Sequence, residues 1–142
     1  MSEELAPIDI QHSPFRDSTE IAIVVDFIKA EILHDPVRDE ERLRQGLEDS
    51  TLLTVHSGVD TLGFAVLKLS QMRDNTGEIK YMGVFNGYRA RGFGGLLIGA
   101  VESCFKDQGM TELTVIPESE SARHFYEQNG FSSGILKMQK HI

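Results

Sequence analysis

The sequence predicts an α/β fold: a mixed, twisted sheet with helices packed on both faces. Three observations point to it. Apolar residues switch repeatedly between a two-residue and a 3.6-residue period, giving the order β-α-α-β-β-β-α-β-α-β. The three strands in the middle follow one another with short loops, which makes them antiparallel neighbours. Turn residues separate the segments, among them Ser57-Gly58-Val59-Asp60-Thr61 and Arg73-Asp74-Asn75-Thr76-Gly77. With 142 residues the chain is one domain, 1–142, long enough to bury a core without disulfide or metal staples.

Pro7 to Ser13 alternates around Ile8 and Ile10 and reads as the first strand. Ile21, Val24, Val25, Ile28 and Ile32 recur at helical spacing, so Ser18 to Leu33 reads as an amphipathic helix capped by Ser18 or Asp17. His34-Asp35-Pro36 ends it, because proline disfavours helix at the residue before it. A short polar helix follows at Asp39 to Leu47. Strands are expected at Thr51–His56, Leu62–Gln71 and Glu78–Phe85, with Arg73 to Gly77 as a turn. Gly94 to Gln108 is a helix stopped by Gly109, Leu113–Ile116 a buried strand, Glu120–Asn129 a helix stopped by Gly130, and Leu136–His141 a last strand.

Composition narrows the function. The chain is 40% hydrophobic and 25% charged, as ordinary soluble domains are. No apolar run is long enough to span a membrane, and the acidic start Met1-Ser2-Glu3-Glu4 lacks the profile of a signal peptide. A formal net charge of −8 argues against nucleic-acid binding; it suits solubility or attraction of cationic acceptors. The single cysteine, Cys104, excludes an intrachain disulfide framework and fits a reducing cytoplasm. It falls on an apolar helix face, as a packed thiol does. The five histidines show no metal-ligand spacing with it, so no metal is expected.

The most informative stretch is Arg89-Ala90-Arg91-Gly92-Phe93-Gly94-Gly95, between a strand and a helix. Glycines allow a tight turn and close backbone approach, and the first-turn N–H groups of a helix attract phosphate. A P-loop would need Lys-Ser/Thr after the glycines, where this chain has Leu96 and Leu97. A dinucleotide fingerprint would need a third glycine where Leu97 stands, and a tighter turn than Asn86–Arg91. The remaining pattern, Arg/Gln-x-x-Gly-x-Gly/Ala, resembles the pyrophosphate loop of the GNAT superfamily of acyl-CoA-dependent N-acetyltransferases. A second block, Ser121-Ala122-Arg123-His124-Phe125-Tyr126-Glu127-Gln128-Asn129-Gly130-Phe131, is similar to that family's Ala-x-x-Phe-Tyr-x-x-x-Gly-Phe segment. The two occur in the family's order, and the likeness is good over positions 50–142 and only in outline before that.

The resemblance implies a mostly antiparallel sheet of about six to seven strands and direct transfer of an acetyl group from acetyl-CoA to a primary amine. It implies that the loop Arg89, Ala90, Arg91, Gly92, Phe93, Gly94, Gly95 takes the pyrophosphate, that Met82 and Val84 line the pantetheine arm, and that the Val84 amide polarises the thioester carbonyl. Phe125 would pack at the cofactor. Ser119 stands where relatives often have an asparagine that contacts the arm. Tyr126 would protonate the leaving thiolate. Glu78, six residues before Val84, would share its strand face and receive the amine proton, as in the histone acetyltransferase branch; otherwise it is a charged residue opening a strand. The acceptor is a small-molecule or protein amine, and family habit allows a homodimer. Two readings compete: a catalytically silent acetyl-CoA-binding or protein-interaction domain of this type, and an unrelated anion-binding α/β domain.

Overall fold

The run Leu62 to Leu67 has no polar residue because both faces of its strand are covered. Phe64 and Val66 enter one apolar cluster, while Ala65 and Leu67 enter the other. That strand, β3 (Asp60–Ser70), lies inside a seven-stranded sheet of order β1-β2-β3-β4-β5-β7-β6. The computed structural model describes residues 7–70, 75–85, 87–88, 92–134 and 137–142.

The strands are β1 (Ile8–Pro14), β2 (Thr51–Ser57), β3, β4 (Thr76–Val84), β5 (Glu112–Val115), β6 (Ser132–Ser133) and β7 (Met138–His141). All neighbours are antiparallel except β4 and β5, which run parallel through the crossover helix α3 (Phe93–Asp107). α1 (Ile21–Phe27) continues into a π-helical turn at Ile28–Ile32, and α2 (Glu40–Leu47) follows; α4 is Glu120–Gln128. Val24, Val25 and Ile28 cover the sheet with Leu52, Phe64 and Val66. On the opposite face Leu97, Val101 and Phe105 of α3 and Tyr126 of α4 pack on Ala65, Leu67 and Ile79.

Two expectations need correction here. The first helix starts at Ile21, and neither Asp17 nor Ser18 caps it: Ser18 Oγ accepts the Glu20 N–H at 3.1 Å in a local turn. The two-residue strand β6 was not expected, since two exposed serines carry no period. Elsewhere the glycine stops hold. Gly109 (φ 83°) and Gly130 (φ 92°) take the left-handed conformation that closes α3 and α4.

A register shift in β4 matters for function. Val66 pairs with Tyr81 and Leu67 with Ile79, leaving Lys80 as an extra residue. Beyond it Gly83 sits tightly against α1, because an added Cβ would run into the Phe27 ring and come within 3.0 Å of Phe64. Gly83→Val is therefore expected to lower stability by roughly 1–3 kcal/mol, the usual cost of overpacking, measurable by thermal or denaturant unfolding.

Candidate active site

β4 and β5 are hydrogen-bonded neighbours only from Thr76–Ile79 opposite Glu112–Val115. Past that point β4 runs on to Val84 while the chain after β5 turns away through Pro117 into α4. The divergence opens a cleft of ≈ 310 Å³. Met82, Gly83 and Val84 form one wall; Glu118, Ser119, Phe125 and Tyr126 form the other, with Gly94 of α3 also lining it. The Phe85 N–H donates to Leu62 O at 2.9 Å. N–H groups alternate along an extended strand, so the Val84 N–H points to the edge of β4 away from β3.

The start of α3 is built for close approach. Gly92 is its N-cap with φ 82°, and it supplies no side-chain cap to the first turn. No acidic residue occupies that turn. Open space surrounds the position of a Cβ on Gly92, whereas one on Gly94 would lie 2.7 Å from the Phe125 ring. Gly94 thus lets α3 and α4 touch, and Gly92 lets a ligand approach the start of α3, the end of a helix dipole that attracts an anion. A pyrophosphate fits these features. Arg89, Ala90 and Arg91 lie outside the described residues.

Tyr126 is 3% exposed, its ring held edge-on between Phe125 and Phe131 at centroid distances of 5.3 Å each. Burial pushes its phenol well above the usual 10.0, and the nearby Glu118 charge pushes it further the same way. The phenol therefore keeps its proton at neutral pH. Ser119 Oγ accepts the Ala122 N–H at 3.0 Å and caps α4, leaving its O–H available to donate across the cleft.

Glu78 is not where strict alternation puts it. The extra residue at Lys80 shifts the phase of β4, so Glu78 pairs with Lys68 on the face of Val66 and Phe64, whereas Met82 and Val84 pack on the opposite cluster. Six residues at ~3.3 Å each also leave it about 20 Å from Val84. Its carboxylate lies 3.7 Å from Lys80 Nζ. The expected face-sharing with Val84 fails, and Glu78 does not reach the cleft.

The carboxylate the cleft does contain is Glu118, which the sequence reading passed over. Although Glu118 as a residue is exposed, protein atoms desolvate its carboxyl and raise its pKa above the usual 4.5; a hydrogen bond from its own backbone opposes that shift. Its position directly before the Ser119 cap was the available signal.

The family model for GNAT acetyltransferases matches residues 18–131. The chain belongs to the GNAT family. No curated protein matches its sequence. Among solved structures, the GNAT domain resembles an IAA acetyltransferase from Bacillus cereus (18% identity, TM-score 0.72, covering 96% of this chain and 100% of that one). It is also similar to a GNAT-family acetyltransferase from Streptococcus pneumoniae (16%, 0.70, 96% and 99%). A third likeness is to N-acetylglutamate synthase from Neisseria gonorrhoeae, solved with coenzyme A and N-acetyl-glutamate (14%, 0.74, 97% of this chain and 36% of that one). These likenesses show the GNAT fold. Among the described residues no helix is long and apolar enough to cross a membrane, and no group of three or more His, Cys, Asp or Glu side chains could hold a metal.

Proposed function

We propose that this GNAT domain is an N-acetyltransferase that moves the acetyl group of acetyl-CoA directly to a primary amine. The observation that carries it is a buried, protonated phenol, Tyr126, in a cleft shared with Met82 and Val84 of β4 and with Gly94 at the start of α3. Acetyl-CoA supplies an activated thioester. The first turn of α3 receives its pyrophosphate, and Met82 with Phe125 flanks its arm. The Val84 N–H donates to the carbonyl oxygen as negative charge develops there. Glu118 takes the amine proton, its raised pKa making it a stronger base than an ordinary glutamate. Tyr126 gives its proton to the departing sulfur.

Thermal unfolding tests the binding half of this reading. Acetyl-CoA at 100 times its dissociation constant is expected to add about 2.7 kcal/mol of stability, with ADP and pyrophosphate giving less at the same concentration. Equal shifts from all three would favour a general anion site. CoA-specific stabilisation with no thiol release across an amine panel would favour a silent binding domain.

A further inference from the structure

The last residue of α1, Phe27, lies against the backbone of β4 one residue before Val84. A Cβ on Gly83 would run into the Phe27 ring, 2.7 Å from its Cζ, so the ring can seat there only over a glycine. Phe64 of β3 and Phe85 complete the contact: Phe27 meets both edge-on, at centroid distances of 5.4 and 5.3 Å. These rings belong to the apolar cluster on the α1 side of the sheet, whereas Met82 and Val84 pack on the α3 side. Gly83 also lines the Tyr126 cleft, so its backbone is shared by the ring contact and the cleft. The helix that carries the ring is anchored at both ends. The Glu20 carboxylate at its N-cap is bonded to His56 Nε2 of β2, and the π-helical turn directly after Phe27 buries Ile28 and Ile32.

This end of β4 gains from an outside support. Its pairing with β5 stops at Ile79, and the extra residue Lys80 breaks its register with β3, so Met82 to Val84 run on beyond a bulge. On the β3 side the Gly83 carbonyl comes so close to Gly63 that a Cβ there would stand 2.9 Å from its oxygen. The carbonyl of Gly83 and the N–H of Val84 belong to one planar trans peptide and point in opposite directions. Two contacts therefore set the orientation of that peptide: Gly63 beside its carbonyl, and the Phe27 ring against the Gly83 Cα.

We infer that Phe27 is a positioning residue for acyl transfer: by holding Gly83 it fixes the direction in which the Val84 N–H donates to the thioester carbonyl. This rests on the transferase reading and adds to it a residue that acts through the backbone rather than on the reacting atoms. A preorganised donor helps only where the charge develops, and a displacement of about 1 Å can cost on the order of 10²-fold in rate. Covering Phe64 and Phe85 would need only an apolar side chain. The fit of a ring to a glycine is the part of this contact that bears on the peptide.

Infrared spectroscopy of acetyl-CoA labelled with carbon-13 at the thioester carbonyl reads this contact without any acceptor. With the parent protein saturated, the bound carbonyl stretch is expected below that of acetyl-CoA free in solution. Phe27→Leu should return it towards the free value and lower kcat about 10- to 100-fold with the fastest acceptor of an amine panel, leaving the KM for acetyl-CoA within about twofold. Gly83→Ala, which disturbs the same contact from the other side, should act likewise. The two together should restore the shift, because the new methyl enters the space the ring leaves. Leu47→Ala, in the same apolar cluster but on α2, should lower the melting temperature and leave the stretch in place. An unchanged stretch in Phe27→Leu, an equal loss in Leu47→Ala, or a double variant no better than either single one would overturn the inference while leaving acyl transfer in place. An unshifted carbonyl in the parent would remove the Val84 role and the inference with it, and a failure to bind acetyl-CoA would remove the transferase reading as well.

Discussion

Tyr126→Phe is expected to lower kcat by about 10²-fold or more, the usual contribution of a positioned general acid, while leaving acetyl-CoA affinity unchanged. The substitution removes one hydroxyl and keeps the ring, so the contacts with Phe125 and Phe131 persist and the fold is undisturbed. A departing thiolate then has to take its proton from water rather than from a donor already positioned beside it. Alternative leaving groups separate this role from simple packing. A thioester whose thiol is more acidic needs less protonation, so its rate should fall less in the variant. An equal loss for both thioesters would place the effect of Tyr126 elsewhere than on the sulfur.

Glu118→Gln should cost about 10²- to 10³-fold in kcat at neutral pH, again the scale of general acid–base catalysis. Its residual rate should climb with pH, since the amine must now lose its proton to solution before attack. Stability should move the other way. Desolvation raises the folded-state pKa of Glu118 above 4.5, so folding holds the carboxyl proton more tightly than the unfolded chain does. Stability then falls as pH rises from 4.5 through the folded value, and the ionised group penalises the folded state above it. Glutamine escapes that penalty. The variant should melt at a higher temperature than the parent at pH 7 and at about the same temperature well below pH 4.5, where the parent's carboxyl is protonated in both its folded and unfolded states. A lower melting temperature at pH 7 would mean that Glu118 is a structural ion partner.

Most of this architecture was legible because its determinants are local. The β3 run Leu62–Leu67, the helix period through Leu97, Val101 and Phe105, and the left-handed glycines at 109 and 130 each announce their element within a few residues. Tyr126 and Phe125 were singled out by a motif, and they line one cleft with Met82 and Val84. What local reading missed depended on register. Strict alternation carried Glu78 onto the face of Val84, and one extra residue at Lys80 reversed it. Sequence period cannot show a bulge, because the added residue is defined only by the strand opposite.

The central claim is direct transfer from thioester to amine in the Tyr126 cleft. It is tested most directly by rapid-quench mass spectrometry of the full chain mixed with acetyl-CoA, with and without a panel of amine acceptors. The account predicts no acetylated protein at any time without acceptor; with acceptor, acetylated amine and free thiol should appear in equal amounts, slowed about 10²-fold or more by Tyr126→Phe. Acetylated protein that forms before the amine is added and is consumed by it would contradict direct transfer, and the absence of any acetylated amine would contradict the transferase itself.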